Sequence, residues 1–272
     1  MDGGASVSAT LEMNSFPVQI VISNITTLGE QQITLSTWTN IKASYTITIR
    51  DSLLESNCNG HGDGIQIRCS SFSANQKIQI NNVNCTLAGH RIGIAIYVYS
   101  QHKNKHTVVT HAAPEIEIKR TLVTDNRVVG LKVSCGGFNY SQPSILLINV
   151  LFSSTVNRRL SAILPSVVYM EFAQNVSFID CNFTRSRGTP IVAISSRFSV
   201  SGTLIFVNNT GFEGGALAFY DDSSMRIHNN TEILFAGNCA QRVGGAIFVK
   251  SCSNFEGSYG KNLCSFNFQM SG

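Results

Sequence analysis

The sequence predicts an all-β chain, a single-stranded parallel β-helix of about eight coils. Three observations predict it. A compound pattern occurs twice near the C-terminal end. Apolar residues recur at spacing two, which is strand spacing, and helical periodicity is missing. These short runs return about every 30 residues across the 272-residue chain.

The compound pattern reads first as Leu204-Ile205-Phe206-Val207-Asn208-Asn209, then Gly214-Gly215-Ala216-Leu217-Ala218-Phe219. It returns as Ile233-Leu234-Phe235-Ala236-Gly237-Asn238, then Gly244-Gly245-Ala246-Ile247-Phe248-Val249. The offset is 29 residues from Phe206 to Phe235 and 30 from Gly214 to Gly244. With Leu204 and Ile233 as anchors, similar runs begin at Val18, Ile47, Ile78, Ile116, Ile145 and Val176. Two positions on stand Ile20, Ile49, Ile80, Ile118, Leu147, Phe178, Phe206 and Phe235. Seven positions on stand Ile25, Leu54, Cys85, Val123, Phe152, Phe183, Gly211 and Ala240. Second strands follow at Ile33/Leu35, Ile65/Ile67, Ile94/Ile96, Leu131/Val133, Val192/Ile194, Leu217/Phe219 and Ile247/Val249. Short runs at Phe198/Val200 and Met225/Ile227 are expected to lead into the next anchor. Strands about 4.8 Å apart would make eight coils a rod of roughly 40 Å. Residues 1–15 form a lead-in, 16–250 the solenoid, and 251–272 a Cys-containing extension.

The pairing of Phe206-x-x-Asn209 with Gly214-Gly215-Ala216-Leu217, and of Phe235-x-x-Asn238 with Gly244-Gly245-Ala246-Ile247, resembles the repeat of the polymorphic outer membrane proteins. It is also similar to right-handed β-helix domains of large animal surface proteins. The resemblance implies a right-handed, pectin-lyase-like solenoid at a cell surface. It implies no particular chemistry, because such families are grouped by repeat. The complete motif covers only the last two units. Asparagine at the strand-to-turn corner suits hydrogen bonding to backbone and a coil-to-coil amide ladder. Gly-Gly suits a corner that β-branched residues resist.

Charged residues are 13% of the chain, about half the usual share, as polar uncharged outer faces would give. A net charge of +4, with no basic run interleaved with aromatics, gives no nucleic-acid signature. Met1 to Thr10 lacks the apolar core of a signal peptide, and no stretch approaches a membrane span. Leu160 to Phe172 comes nearest and is interrupted by Pro165 and Glu171.

Three features point to part of a secreted or surface protein. Asn24, Asn84, Asn139, Asn175, Asn182, Asn208 and Asn229 each begin Asn-x-Ser/Thr, the acceptor pattern for N-glycosylation. The cysteines number eight, with Cys252–Cys264 the first candidate disulfide and Cys58–Cys69 the second. Cys85 falls in an apolar file and reads as a buried thiol, and no spacing fits a zinc site. Beyond Val249 the terminal coil is expected to leave open strand edges unless more chain follows.

Two clusters carry an enzymatic reading. His61-Gly62-Asp63 resembles polygalacturonase elements, but those are separate and reversed in that family, whose paired carboxylates and Arg-x-Lys have no counterpart here. Glycoside hydrolysis needs two carboxyls facing across about 5–9.5 Å. Asp180 with Arg185 and Arg187, and Glu213 one coil on, is a lyase-like cluster of basic and acidic groups. Its plainer meaning is a solvated corner. The 38-residue interval between Ile78 and Ile116 holds a loop insertion at about 97–114. Its Tyr97, Tyr99, His102 and Lys105 are the candidate binding residues, since solenoid inserts are loops and loops carry ligands. The expected protein is therefore a non-catalytic extracellular module without cofactor or metal, with a structural or adhesive role toward glycans or other surface proteins. The alternative is a polysaccharide-cleaving enzyme.

Overall fold

Alternating apolar residues along short runs build strands, and nothing else regular forms. A computed structural model describes residues 7–11, 18–28, 33–37, 45–55, 63–69, 76–88, 92–98, 115–126, 128–136, 143–153, 166–250 and 254–257. Among these residues all regular elements are strands, and every ladder between them is parallel. No helix of the described residues is long and apolar enough to cross a membrane.

The chain deals its strands alternately onto two sheets. The nine-stranded sheet runs, in spatial and sequence order, Val7–Leu11, Ile33–Thr37, Asp63–Cys69, Ile92–Val98, Val129–Cys135, Ser166–Glu171, Thr189–Ile194, Leu217–Tyr220, Ile247–Val249. The thirteen-stranded sheet has the spine Val18–Ser23, Tyr45–Arg50, Gln76–Ala88, Glu115–Thr124, Ser144–Ile148, Val176–Thr184, Arg197–Val207, Ser224–Ile227, Asn254–Gly257. Shorter strands Thr26–Leu28, Leu53–Glu55, Leu151–Ser153 and Glu232–Ala236 join it at the side. A small third sheet pairs Thr210–Glu213 with Cys239–Val243. Each strand therefore pairs with those one pass of the chain earlier and later.

One core joins the two large sheets. Ile65, Ile67, Ile94, Ile96, Leu131 and Val133 of one pack in the same cluster as Ile49, Ile118, Leu147 and Phe178 of the other, each at most 1% exposed. Burial of side chains this size stabilises by about 1.5–3 kcal/mol each.

The observed register corrects the sequence-derived files at several positions, Ile25 among them, since Thr27 is the partner of Leu54. Ile22, not Ile20, partners Ile49, and the file continues through Ile80, Ile118, Leu147 and Phe178 to Val200 and Ile227. Phe206 and Phe235 belong to the neighbouring file of Leu54, Leu87, Val123, Phe152 and Phe183. Leu87 holds the place assigned to Cys85, which pairs with Thr121 instead. Ile191 and Ala193, rather than Val192 and Ile194, face the core. The cause of the Phe206 shift is a corner inside Arg197–Val207. Gly202 has φ +68 there, and the register slips between Ile179 and Cys181. Phe198 partners Val176 and Met225 partners Phe198, and both runs lead into the next anchor as expected, the first within the strand Arg197–Val207 and the second just before Glu232–Ala236.

Corners recur where the chain must bend. Asp51, Arg120, Asn149 and Asp180 all have φ near +50, as do Asp125, Arg185 and Asn208 at a second corner and Phe172, Ser195 and Asp221 at a third. These left-handed residues are mostly Asp, Asn or Ser, whose short polar groups offset the steric penalty. Side chains then tie corner to corner. The Ser223 hydroxyl accepts the Ser196 N–H, and the Ser196 hydroxyl accepts the Ala173 N–H.

The expected amide ladder forms beside the phenylalanine file. Fully buried Asn209 donates from Nδ2 to the Phe183 carbonyl at 3.0 Å, and its Oδ1 accepts the Ser186 N–H at 3.1 Å. Asn238 repeats the first bond, donating to the Phe206 carbonyl at 2.8 Å. The left-handed residue is the one before each asparagine, Asn208 and Gly237. Rings of Phe152, Phe183, Phe206 and Phe235 stack in sequence at 4.9, 5.0 and 5.2 Å. Such spacing lies within the favourable range for aromatic pairs.

Candidate functional site

Strand alternation that buries Ile94 and Ile96 forces Ala95 and Tyr97 onto the opposite face of the nine-stranded sheet. Register carries this outward face across the sheet. One file is Ala95, Lys132, Tyr169, Val192, Ala218 and Phe248. The next is Tyr97, Ser134, Glu171, Ile194 and Tyr220. Ala95, Tyr169, Val192, Ala218 and Tyr220 pack as a second apolar cluster with Ile92, Val128 and Val129, separate from the core, and Tyr97, Ile194 and Phe248 lie against it. The sheet is apolar on both faces, and on the outward one Ala95, Tyr169, Val192, Ala218 and Tyr220 are buried, as parallel sheets covered on both sides are.

Polar groups are set into this face at two places. Lys132 Nζ lies 5.4 Å from the ring centre of Tyr97 and 5.9 Å from that of Tyr169, within cation–π range. Beside it the Ser134 hydroxyl donates to Glu171 Oε2 at 3.3 Å. Burial pushes the Tyr169 phenol up to about 12, and the Glu171 charge adds to the shift. At the other place Tyr220 donates its hydroxyl to Glu213 Oε2 at 2.6 Å, and Arg242 Nη1 donates to Glu213 Oε1 at 2.8 Å. Burial first, then the bond to Glu213 and its charge, raise the Tyr220 phenol well above its usual value, while Arg242 opposes the shift. Glu213 and Arg242 come from the two strands of the small sheet. The Phe248 ring lies 5.6 Å from that of Tyr220.

The outer face of the thirteen-stranded sheet is different. Thr48, Glu117, Leu146, Ser177, Ser199 and Arg226 share one file there. Lys119 and Glu117 pair at 2.6 Å, and the Ser177 and Ser199 hydroxyls bond at 2.8 Å. One wall is thus aromatic and aliphatic, the other mainly hydroxyl and charge.

Of the four candidate binding residues, Tyr97 stands on the aromatic wall. Tyr99, His102 and Lys105 lie outside the described residues. His61 also lies outside them. Asp63 is buried at the head of its strand and accepts the Gln66 side-chain N–H at 3.0 Å, so it braces that strand. Asp180 is a corner residue whose carboxylate accepts the Thr203 N–H at 2.9 Å. Arg185 sits at the other end of the strand segment, five residues or about 16 Å away in extended chain. Glu213 is partnered by Tyr220 and Arg242, not by Arg185 or Arg187, so the lyase-like cluster is dispersed. Among the described residues no three His, Cys, Asp or Glu side chains converge as a metal site would require.

In the Gly-Gly-Ala corners, Gly214 and Gly244 take φ +73 and +91. Gly215 does not. There a side chain is barred by close approach, because a Cβ would sit 2.6 Å from the Gly245 carbonyl oxygen. Gly245 itself has φ +43 with open space around it. Cys58, Cys252, Cys264 and the Cys69 side chain lie outside the described residues. Cys135 and Cys181 are buried free thiols, and Cys239 is an exposed one. Asn24, Asn175, Asn208 and Asn229 are exposed, Asn182 is half-buried, and the side chains of Asn84 and Asn139 lie outside the description.

Sequence reasoning missed Tyr169, Tyr220, Lys132, Glu171 and the Glu213–Arg242 pair. The available signal was the unbroken apolar run of Val167, Val168, Tyr169 and Met170, since a strand buried on both faces loses alternation.

No curated protein and no solved structure gives a significant match to the chain. Residues 232–250, the strands Glu232–Ala236, Cys239–Val243 and Ile247–Val249, match the Chlamydia polymorphic membrane protein (Chlamydia_PMP) repeat. That short match is consistent with a surface or outer membrane protein family.

Proposed function

We propose that this chain is a non-catalytic module of an extracellular or cell-surface protein, a right-handed, pectin-lyase-like solenoid that holds glycans or other surface proteins against its aromatic wall. The observation that carries this reading is the outer face of the nine-stranded sheet, where half-buried Tyr97, Lys132 and Glu171 stand beside buried Tyr169 and Tyr220. Tyrosine rings flanked by a lysine and carboxylates suit the mixed apolar and hydroxyl surface of a sugar or an amphipathic protein patch. Right-handed winding is supported by the all-parallel ladders, since strand–crossover–strand connections are right-handed in about 98% of cases. The 232–250 match supports the surface setting, and the four exposed sequons are the acceptors for N-glycosylation there. Binding of the purified protein to an array of glycans, repeated with Tyr97→Ala, tests the reading. Saturable binding that weakens at least tenfold in the variant is the expected result. Turnover of uronic-acid polymers, lost in Asp63→Ala or His61→Ala, would replace it with the enzymatic reading.

A further inference from the structure

The strand segments that carry the phenylalanine file also have an outer face. Val123, Phe152, Phe183 and Phe206 turn into the core, so alternation points the residue before each of them outward. Register sets Leu122, Leu151, Asn182, Ile205 and Leu234 side by side there, one per pass of the chain and about 4.8 Å apart. Leu151 is 37% exposed although Leu122 and Asn182 flank it, and Leu122 and Ile205 are half-buried. The file is an aliphatic stripe on the outside of the sheet, with one carboxamide in its middle.

That carboxamide is poorly explained by packing, since Leu or Ile fills the same position in the passes on both sides. Asn182 is half-buried, and among the described residues its side chain has no hydrogen-bond partner, its bonds being those of its backbone. A polar group drawn from water without a partner is unfavourable. As an acceptor it has a use. Asn182-Phe183-Thr184 is an Asn-x-Thr triplet, and half-buried Thr184, two residues on, shares the outer face. Asn24, Asn175, Asn208 and Asn229 are exposed and lie between strands. Asn182 instead stands within a ladder, paired on both sides.

We propose that an N-linked glycan on Asn182 lies along this stripe and covers it. Nδ2 forms a bond to the anomeric carbon of the first N-acetylhexosamine and gives up one proton to a base of the transferase. The bond from that carbon to the diphosphate of a polyprenyl-linked oligosaccharide breaks, and the lipid diphosphate leaves with the electron pair. Transfer to the chain before it folds meets no obstacle in the half-burial of Asn182. In the folded chain the C–H faces of the sugar rings lie over Leu151 or Ile205 and take apolar surface out of water. The inference rests on the secreted or surface setting proposed above, and it uses no residue of the aromatic wall.

The test uses the full chain secreted from a eukaryotic cell line, with occupancy mapped site by site by peptide mass spectrometry. Asn182 is expected to carry a glycan in most molecules. Asn182→Gln is expected to raise binding of a hydrophobic-surface dye at least threefold, whereas Asn229→Gln, which also loses one acceptor, leaves it unchanged. Should Asn182→Gln fail to fold, release by a peptide N-glycanase is timed on the parent. From the folded protein the Asn182 glycan is expected to come off at least tenfold more slowly than those at Asn208 and Asn229, and from the urea-unfolded protein at the same rate. A bare Asn182 beside occupied Asn208 or Asn229 overturns the inference and leaves the surface setting standing. No occupied sequon at all overturns both. Dye binding unchanged in Asn182→Gln, or release as fast as at Asn229, overturns the covering role. A bare Asn182 with dye binding that falls as protein concentration rises places a second copy on the stripe and also overturns it.

Discussion

Asn209 and Asn238, on successive passes of the chain, meet at a single oxygen. Oδ1 of Asn238 accepts both the Asn209 side-chain N–H at 2.9 Å and the Asn209 backbone N–H at 3.1 Å. Asn209 is fully buried, so its carboxamide has no water to fall back on. Asn209→Ala strands the Ser186 N–H and the Phe183 carbonyl. We expect it to lower unfolding free energy by about 2–4 kcal/mol, measured as a shift in urea midpoint. Asn238→Ala, on a half-exposed residue, is expected to cost about half as much.

The glycine corners give a paired prediction. Gly215→Val drives a side chain into the Gly245 carbonyl and the Cys239 amide, 2.6 and 2.9 Å from an added Cβ. It should destabilise by about 1–3 kcal/mol and lower the melting midpoint. Gly245→Ala meets no atom within 4 Å and carries only the left-handed backbone penalty, about 1–2 kcal/mol at most. Equal effects of the two would refute the close-approach account of Gly215.

Phe206 sits between Phe183 and Phe235 in the ring stack and is fully buried. Phe206→Ala is expected to cost about 3–5 kcal/mol, and Phe206→Leu markedly less. Denaturation of the two variants beside the parent checks the order.

Two phenols predict an alkaline limit. Tyr169 is raised to about 12 and Tyr220 is raised as well, so the folded chain keeps protons that the unfolded chain releases near pH 10. Their contribution is complete below about pH 10 and is lost as pH rises from there toward the folded values. Urea midpoints should therefore fall above about pH 10, and Tyr169→Phe should make that fall shallower.

Thiol reactivity separates the described cysteines. Burial pushes the Cys181 thiol up to about 12, and Cys239 is exposed. Iodoacetamide at neutral pH followed by peptide mapping should label Cys239 readily. Cys135 and Cys181 should react only after unfolding.

Much of this architecture was legible in the sequence because spacing two and a 30-residue return are imposed by the pleat and by stacking. Parallel strands, the buried positions of Ile49, Ile118 and Phe178, and the asparagine ladder all followed. Register was less legible. A fixed offset cannot register that the corner at Gly202 gains a residue, nor that only 22 residues separate Val176 from its partner Phe198. That is why Phe206 and Phe235 were set in the wrong file. The aromatic wall was hidden for another reason. Alternation reveals a strand with one apolar face, and the strands bearing Tyr169 and Val192 have two. The lyase-like cluster of Asp180, Arg185 and Arg187, with Glu213 one coil on, is not assembled, because an extended segment holds Asp180 and Arg185 apart and Glu213 turns to Tyr220 and Arg242.

The distance along the chain between partnered residues ranges from 22, Val176 to Phe198, to 38, Ile78 to Ile116, yet the members of each pair lie side by side in the same sheet. Closing the longer loop costs only about 0.5 kcal/mol more, by the logarithmic dependence on length. Bends in this architecture are therefore sites where new sequence can be grafted cheaply. A library of inserts placed between Val98 and Glu115 should leave the ladders intact while giving the scaffold new specificities.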